Sequence, residues 1–219
     1  MYKATLSETD LTKIVAVKIF TVEIQPSDVD QTCGILTTVQ HENLLQCFGV
    51  TQNITEAENG PGLILEYAEG GTMLNTMLDP DYRFDSRRAI VWIAQIVEGI
   101  RFLQLNRSHH NGLFHTDLNP GNILFKDAEK TIIKIAEYRI PRNMAAITTK
   151  TSETIYNDRK CAKKYTEKWN IYSLGLIMWQ IITGKRIYLE DIDETELAVA
   201  KAMCEDKRRP PMNTDVFER

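Results

Sequence analysis

An α+β fold, with strands and helices segregated into two lobes, is what this 219-residue sequence predicts. β-branched runs dominate its first third, the apolar period lengthens to that of helices after Gly71, and one later stretch is apolar nearly all round. In order, Ile14-Val15-Ala16-Val17-Lys18-Ile19-Phe20 reads as a strand, Val29 to Val39 as a short helix and Leu44 to Val50 as a strand. Leu63-Ile64-Leu65-Glu66-Tyr67 reads as a further strand that stops at Glu69-Gly70-Gly71. A long helix follows, with Asp85 or Ser86 as N-cap, and Ile90, Ile93, Ala94, Val97, Ile100 and Phe102 form the face expected to meet the core. Ile171 to Ile182 has the all-round apolarity of a helix buried inside a lobe, and Thr183-Gly184 ends it.

Charge and composition exclude several classes. With 26 Lys+Arg against 30 Asp+Glu, a net charge of −4 and 43% hydrophobic residues, the chain has enough apolar surface to bury and is not globally disordered. The isoelectric point of about 5.7 and the lack of a basic stripe argue against nucleic acid as a partner. The stretch from Ile171 to Thr183 is broken by Ser173 and Gln180 and is shorter than the ~20 residues of a membrane span. Met1-Tyr2-Lys3-Ala4-Thr5 lacks the apolar core of a signal peptide, and Cys33, Cys47, Cys161 and Cys204 are scattered without a C-x-x-C pair. A cytoplasmic protein with reduced thiols is expected. The triplets Asn53-Ile54-Thr55 and Asn106-Arg107-Ser108 then stay unglycosylated, and His109-His110 near His115, having no ligand-spaced carboxylate or Cys, reads as a solvated loop.

Three strings occur in one order: Val15-Ala16-Val17-Lys18 on a strand, His115-Thr116-Asp117-Leu118-Asn119-Pro120-Gly121-Asn122 after the long helix, and Ile133-Lys134-Ile135-Ala136-Glu137-Tyr138-Arg139 after a short hairpin. They resemble the V-A-I-K, H-R-D-L-x-x-x-N and K-I-x-D-F-G signatures of protein kinases. Leu65 to Gly71 looks like the hinge of the MAP kinase kinase kinases, those of the transforming-growth-factor-β-activated type above all, and Arg209-Pro210-Pro211 like the end of their post-αG segment. The resemblance covers essentially the whole chain. It implies a kinase-like fold with residues 1–67 as a partial, β-rich N-lobe and residues 68–219 as a helical C-lobe ending after the αG region. Tyr2-Lys3-Ala4 resembles the second strand of that fold, so the first strand and its glycine-rich loop are expected to be missing.

By the same resemblance, Asp117 holds the position of the catalytic base and Lys18 that of the phosphate-binding lysine. Asn122 and Glu137 hold the magnesium-ligand positions. Ala16 and Leu124 would form the roof and floor of an adenine slot and Leu65 would guard its back, while the backbone of Glu66 to Ala68 supplies hydrogen bonds. Leu36, Tyr138 and His115 are expected to stack in a column joining the lobes.

The departures bear on function. The acid that should pair with Lys18 falls on Thr32, with only Asp28 and Asp30 nearby. The phosphoryl-neutralising lysine is Asn119, the Arg of the H-R-D triplet is Thr116, and D-F-G has become Glu137-Tyr138-Arg139. Tyr156-Asn157-Asp158 stands for A-P-E, and Asn170 for a buried Asp. A carboxylate one methylene longer displaces any bound metal by an amount that, at about 1 Å, costs about a hundredfold in rate. Arg139 is also placed to enter the nucleotide space.

The first reading is therefore a kinase-fold pseudoenzyme that binds adaptor proteins or MAP-kinase-cascade components in stress or immune signalling, with weak ATP and Mg binding at most. The second is a weak Ser/Thr kinase using Asp117, Lys18, Asn122 and Glu137. The third is a truncated duplicate without independent function.

Overall fold

The structure, a computed structural model, describes residues 1–8, 11–19, 33–34, 36–55, 58–83, 85–106, 115, 117–138, 168–185 and 209–210. Four antiparallel strands form the first sheet: β1 (Tyr2–Glu8), β2 (Leu11–Ile19), β3 (Cys47–Thr55) and β4 (Glu58–Glu66), in the order β1-β2-β4-β3. β2 runs between β1 and β4, and its centre, Val15, Ala16 and Val17, is buried without alternation, as a continuous β-branched run reads. Leu44 is not a strand residue as expected. It makes a single parallel bridge to Ile135, and β3 begins only at Cys47. The segment around it is tied to the second sheet by Ile135 N–H donating to Asn43 O at 2.8 Å and Leu45 N–H donating to Ile135 O at 2.9 Å.

The second sheet, β5 (Gly71–Thr72), β6 (Ile123–Phe125) and β7 (Ile133–Ile135), is short and almost wholly buried. Against it pack α1 (Met73–Met77), on β5 and β6, and α2 (Ser86–Leu105), on β7, while α3 (Lys168–Thr183) packs on α2. Asp85 is the N-cap of α2, its carboxylate accepting from Arg87 N–H at 2.9 Å and Arg88 N–H at 3.3 Å. Gly184, at φ +65, ends α3 by donating to Gln180 O. Of the expected short helix over Val29 to Val39, Cys33, Gly34 and Leu36 are helical, Thr37 and Thr38 form a turn, and residues 29–32 and 35 lie outside the described residues.

Two expectations about helix faces are corrected. The core face of α2 is Ala89, Trp92, Ile96, Gly99, Ile100 and Leu103, whereas Ile90, Val97 and Ala94 are exposed, Ile90 to 67%. The helix carries two apolar stripes, and the bulkier one wins. Trp92 is 2% exposed, stacks on Phe125 at 4.8 Å, and donates its indole N–H to Lys130 O at 2.8 Å. Gly99 completes that face, because a Cβ there would lie 2.7 Å from Ile135 Cδ1. In α3, Ile171 is 63% exposed, so the helix buries Ser173, Leu176, Ile177, Gln180 and Ile181 rather than its whole circumference.

Candidate functional site between the two sheets

Lys18 reaches the space between the sheets because it stands two residues beyond Ala16 on β2, with Ala16 paired to Leu65 of β4. Facing it is Glu137, two residues past the end of β7, in the left-handed region at φ +60. A left-handed backbone at a residue with a Cβ costs about 1–3 kcal/mol and persists only when neighbours over-determine it. Here Ala136 N–H donates to Asn122 O at 2.9 Å, and Lys18 Nζ lies 2.5 Å from both Glu137 oxygens. The pair is about one-fifth exposed on either side. Among the described residues the acid that meets Lys18 thus comes from just past β7, with both Glu137 oxygens toward the ammonium. Thr32 lies outside the described residues.

The loop carrying Asp117 is held from within. Asp117 is 5% exposed, and its N–H donates to His115 Nδ1 at 3.3 Å. Its carbonyl accepts from Asn119 Nδ2 at 3.1 Å and Asn122 Nδ2 at 2.9 Å, and Asn122 Nδ2 also lies 3.3 Å from Asp117 Oδ2. Asn119 is not merely a lost lysine. Its Oδ1 accepts from Gly121 N–H at 2.8 Å and Asn122 N–H at 3.1 Å, capping the 3₁₀ turn Pro120–Asn122. Short acceptor, proline and glycine in succession are a turn signal on their own, and that string could have been read so.

At the hinge, Ala16 and Leu65 are buried side by side, and Leu124 is half-buried on β6. Of the hinge backbone groups, Glu66 N–H donates to Gln46 O at 2.8 Å and is already used within the protein. The Ala68 amide makes no hydrogen bond among the described residues. The Glu66 carboxylate accepts from Lys134 Nζ at 2.9 Å and Gln46 N–H at 3.3 Å, with Lys126 Nζ at 3.9 Å. Lys134, 6% exposed among the isoleucines of β7, is a site residue the sequence reading missed. Its signal was a lysine inside an unbroken buried run, which survives only with a partner. Tyr67 carries Lys3 Nζ 4.7 Å above its ring.

Leu36, His115 and Tyr138 are all buried, and the Tyr138 hydroxyl donates to Leu45 O at 2.7 Å. Burial raises the Tyr138 phenol well above its usual range. Asn170 is 4% exposed. Thr116, Arg139, Asp28, Asp30 and Tyr156-Asn157-Asp158 lie outside the described residues.

Among the described residues, no three His, Cys, Asp or Glu side chains gather as a metal-binding group. Asn122 turns its amide nitrogen, a donor, toward Asp117, and both Glu137 oxygens face an ammonium. A magnesium ion, which requires oxygen ligands near 2.0–2.1 Å in octahedral array, would have to take the Glu137 oxygens from Lys18, while Asn122, with its nitrogen on Asp117, keeps Oδ1 as an acceptor. No helix among the described residues is long and apolar enough to cross a membrane.

A family profile described as "Protein kinase domain" matches residues 2–215. The chain is 26% identical to myosin light chain kinase 3 of Danio rerio over 197 residues, 87% of this chain and 26% of that protein. It is 27% identical to mitogen-activated protein kinase kinase kinase 7 of Drosophila melanogaster over 187 residues, 80% of this chain and 25% of that protein. Human myosin light chain kinase family member 4 is 25% identical over 175 residues, 78% of this chain and 43% of that protein. The chain thus spans a quarter to under half the length of these relatives. Two branches of kinases stand at nearly equal identity, so the resemblance to the transforming-growth-factor-β-activated type is not singled out.

Proposed function

Since the chain belongs to the protein kinase family, whose members use ATP and Mg, we propose that it works by binding rather than by phosphoryl transfer. In this reading it is a kinase-fold pseudoenzyme that engages adaptors or other components of MAP-kinase-type signalling in the cytoplasm. The Lys18–Glu137 pair carries the proposal: the phosphate-binding position and the metal-binding position neutralise each other. Asn119 supports it, because a capping amide replaces a cation where negative charge has to be offset during transfer. Likeness to the Drosophila MAP kinase kinase kinase 7 supports the signalling context.

A weak Ser/Thr kinase is the second reading, favoured by one observation: Asp117 and Asn122 keep a direct contact in a buried, hydrogen-bonded loop. Asp117 would then accept the proton of a substrate hydroxyl. Transfer of the γ-phosphate from labelled ATP to a Ser/Thr protein substrate, measured beside Asp117→Asn, decides between them. Equal background in both is expected; turnover that Asp117→Asn abolishes overturns the pseudoenzyme reading.

A further inference from the structure

We propose that Cys33 and Cys47 are an oxidation site: a hydroperoxide closes the thiol pair to a disulfide, which ties the helical residues beside Cys33 to the start of β3. At rest, in the reducing compartment expected for this chain, the pair is a dithiol. The inference goes beyond the proposed function and depends on neither nucleotide binding nor phosphoryl transfer.

The two cysteines come from different elements and meet inside one apolar cluster, where the Cys47 thiol is hydrogen-bonded with that of Cys33. Both are free thiols, Cys33 7% and Cys47 2% exposed. Cys47 Sγ also donates to Gly49 O at 3.7 Å, a long contact from a weak donor. A disulfide requires the sulfurs to draw together to about 2.05 Å, and the backbone on each side has room to give. β3 slips register between Cys47 and Gly49. At Gly49, and at Gly34 beside Cys33, even an added Cβ would meet nothing within 4 Å. Tyr138 stands close enough to feel a charge on Cys47, and its hydroxyl holds Leu45 O just before Cys47. Closing the pair therefore fixes Cys33, Gly34 and Leu36 against both the four-stranded sheet and the residue that follows Glu137.

The order of events follows from exposure and acidity. Burial above all, with the Cys33 thiol beside it, pushes the Cys47 thiol up to about 12, so it stays protonated near neutral pH and is a poor first target. Cys33, the more exposed of the two, takes the first step. Its sulfur takes one oxygen from the hydroperoxide and the O–O bond breaks: Cys33 becomes a sulfenic acid and the hydroperoxide leaves as its alcohol. The Cys47 sulfur then attacks the Cys33 sulfur. The S–S bond forms, the S–O bond breaks, and the Cys47 proton leaves with the hydroxyl as water. The two thiols lose two electrons between them, and the hydroperoxide accepts both. A second thiol already in contact lets this step outrun further oxidation to the sulfinic acid.

Peptide mapping of the full chain tests this, because cleavage after Glu42 separates the two cysteines. The folded protein is treated with tert-butyl hydroperoxide, its remaining thiols are blocked with N-ethylmaleimide in urea, and peptide masses are read before and after dithiothreitol. The expected result is a peptide linking Cys33 to Cys47 in most chains, two hydrogens lighter than its parts and split by dithiothreitol. Closing a loop of about 15 residues should also raise the melting temperature by about 5 °C or more, and Cys33→Ala should abolish that rise. Recovery of Cys33 and Cys47 as maleimide adducts, linkage of either to Cys161 or Cys204, or a sulfinic acid at Cys33 overturns the proposal and leaves two inert core thiols. A linked pair that melts no higher than the reduced chain overturns the tie between helix and strand. If Cys33→Ala does not fold, the wild-type map and melting curve decide alone.

Discussion

Replacing Lys134 by Met should destabilise the protein by far more than a surface lysine would. Lys134 Nζ lies 2.9 Å from Glu66 Oε2, with the two side chains only 8% and 12% exposed. Breaking a buried pair by removing one partner costs about 3–5 kcal/mol, because the remaining charge stays desolvated. Glu66 retains Gln46 N–H at 3.3 Å and a half-exposed Lys126 at 3.9 Å, which places Lys134→Met at the low end, about 3 kcal/mol. At about 2–4 °C per kcal/mol for a domain of this size, melting should fall by about 6–12 °C. The double variant Lys134→Met, Glu66→Leu removes both charges and leaves chiefly the Gln46 amide unpaired, a loss of about 1–2 kcal/mol. Urea unfolding of wild type, both single variants and the double variant measures the coupling directly. A Lys134→Met loss under about 0.5 kcal/mol, or single losses that simply add in the double variant, would refute the buried-charge reasoning.

Two further outcomes follow from individual contacts. Tyr138→Phe installs the residue typical of kinases here, yet it removes the 2.7 Å bond to the buried Leu45 carbonyl, so a loss of about 1–2 kcal/mol is expected in urea unfolding; an unchanged midpoint argues that water replaces the hydroxyl. For Asp127, burial opposes ionisation, but the Thr131 and Ile132 amides and the Thr131 hydroxyl outweigh it and hold the carboxyl below its usual value. A depressed folded-state value means the stabilisation is present above the unfolded pKa of about 3.9 and is lost as pH falls through the folded value. The stability gap between wild type and Asp127→Asn, seen near pH 6, should therefore shrink toward pH 3; a gap constant with pH disproves the assignment.

What the sequence made legible was whatever local chemistry dictates. Asp85 capped its helix, Gly184 ended the next one, and Tyr2-Lys3-Ala4 lay on a strand, each from a few adjacent residues. Phase within a helix was not legible, because α2 has apolar residues on two faces and only the partner surfaces decide between them. Trp92 finds Phe125 and Lys130, whereas Ile90 finds solvent. The site divided the same way. Lys18, Asp117, Asn122 and Glu137 were identified one by one, but the pairing of Lys18 with Glu137 spans 119 positions and no local pattern encodes it. Asn119 was read for the charge it lacks, when its geometry is that of a cap.

The two ion pairs are better understood together than apart. Lys134 and Glu137 stand three residues apart on and just past β7, while Glu66 and Lys18 stand on the neighbouring strands β4 and β2, which are hydrogen-bonded to each other through Val15 to Ile19 and Gly62 to Glu66. The order of charges alternates: Lys134 to Glu66, then across the sheet to Lys18, then Glu137. Lys134 on β7 meets an acid of β4, and Lys18 on β2 meets an acid just past β7, so the segment 134–137 is bound at both ends to the four-stranded sheet. The bonds from Asn43 and Leu45 to Ile135 fall between those two ends. The segment is cross-tied to the four-stranded sheet, and each lysine–acid pair is internally neutral. Such cross-ties lower the ordering cost of receiving a preformed ligand or partner. Internal neutrality removes the unpaired charges that phosphoryl transfer has to place around a phosphate. Among the described residues, the carboxylate at Glu137, one methylene longer than the Asp that the kinase signature has here, is the acid that meets Lys18.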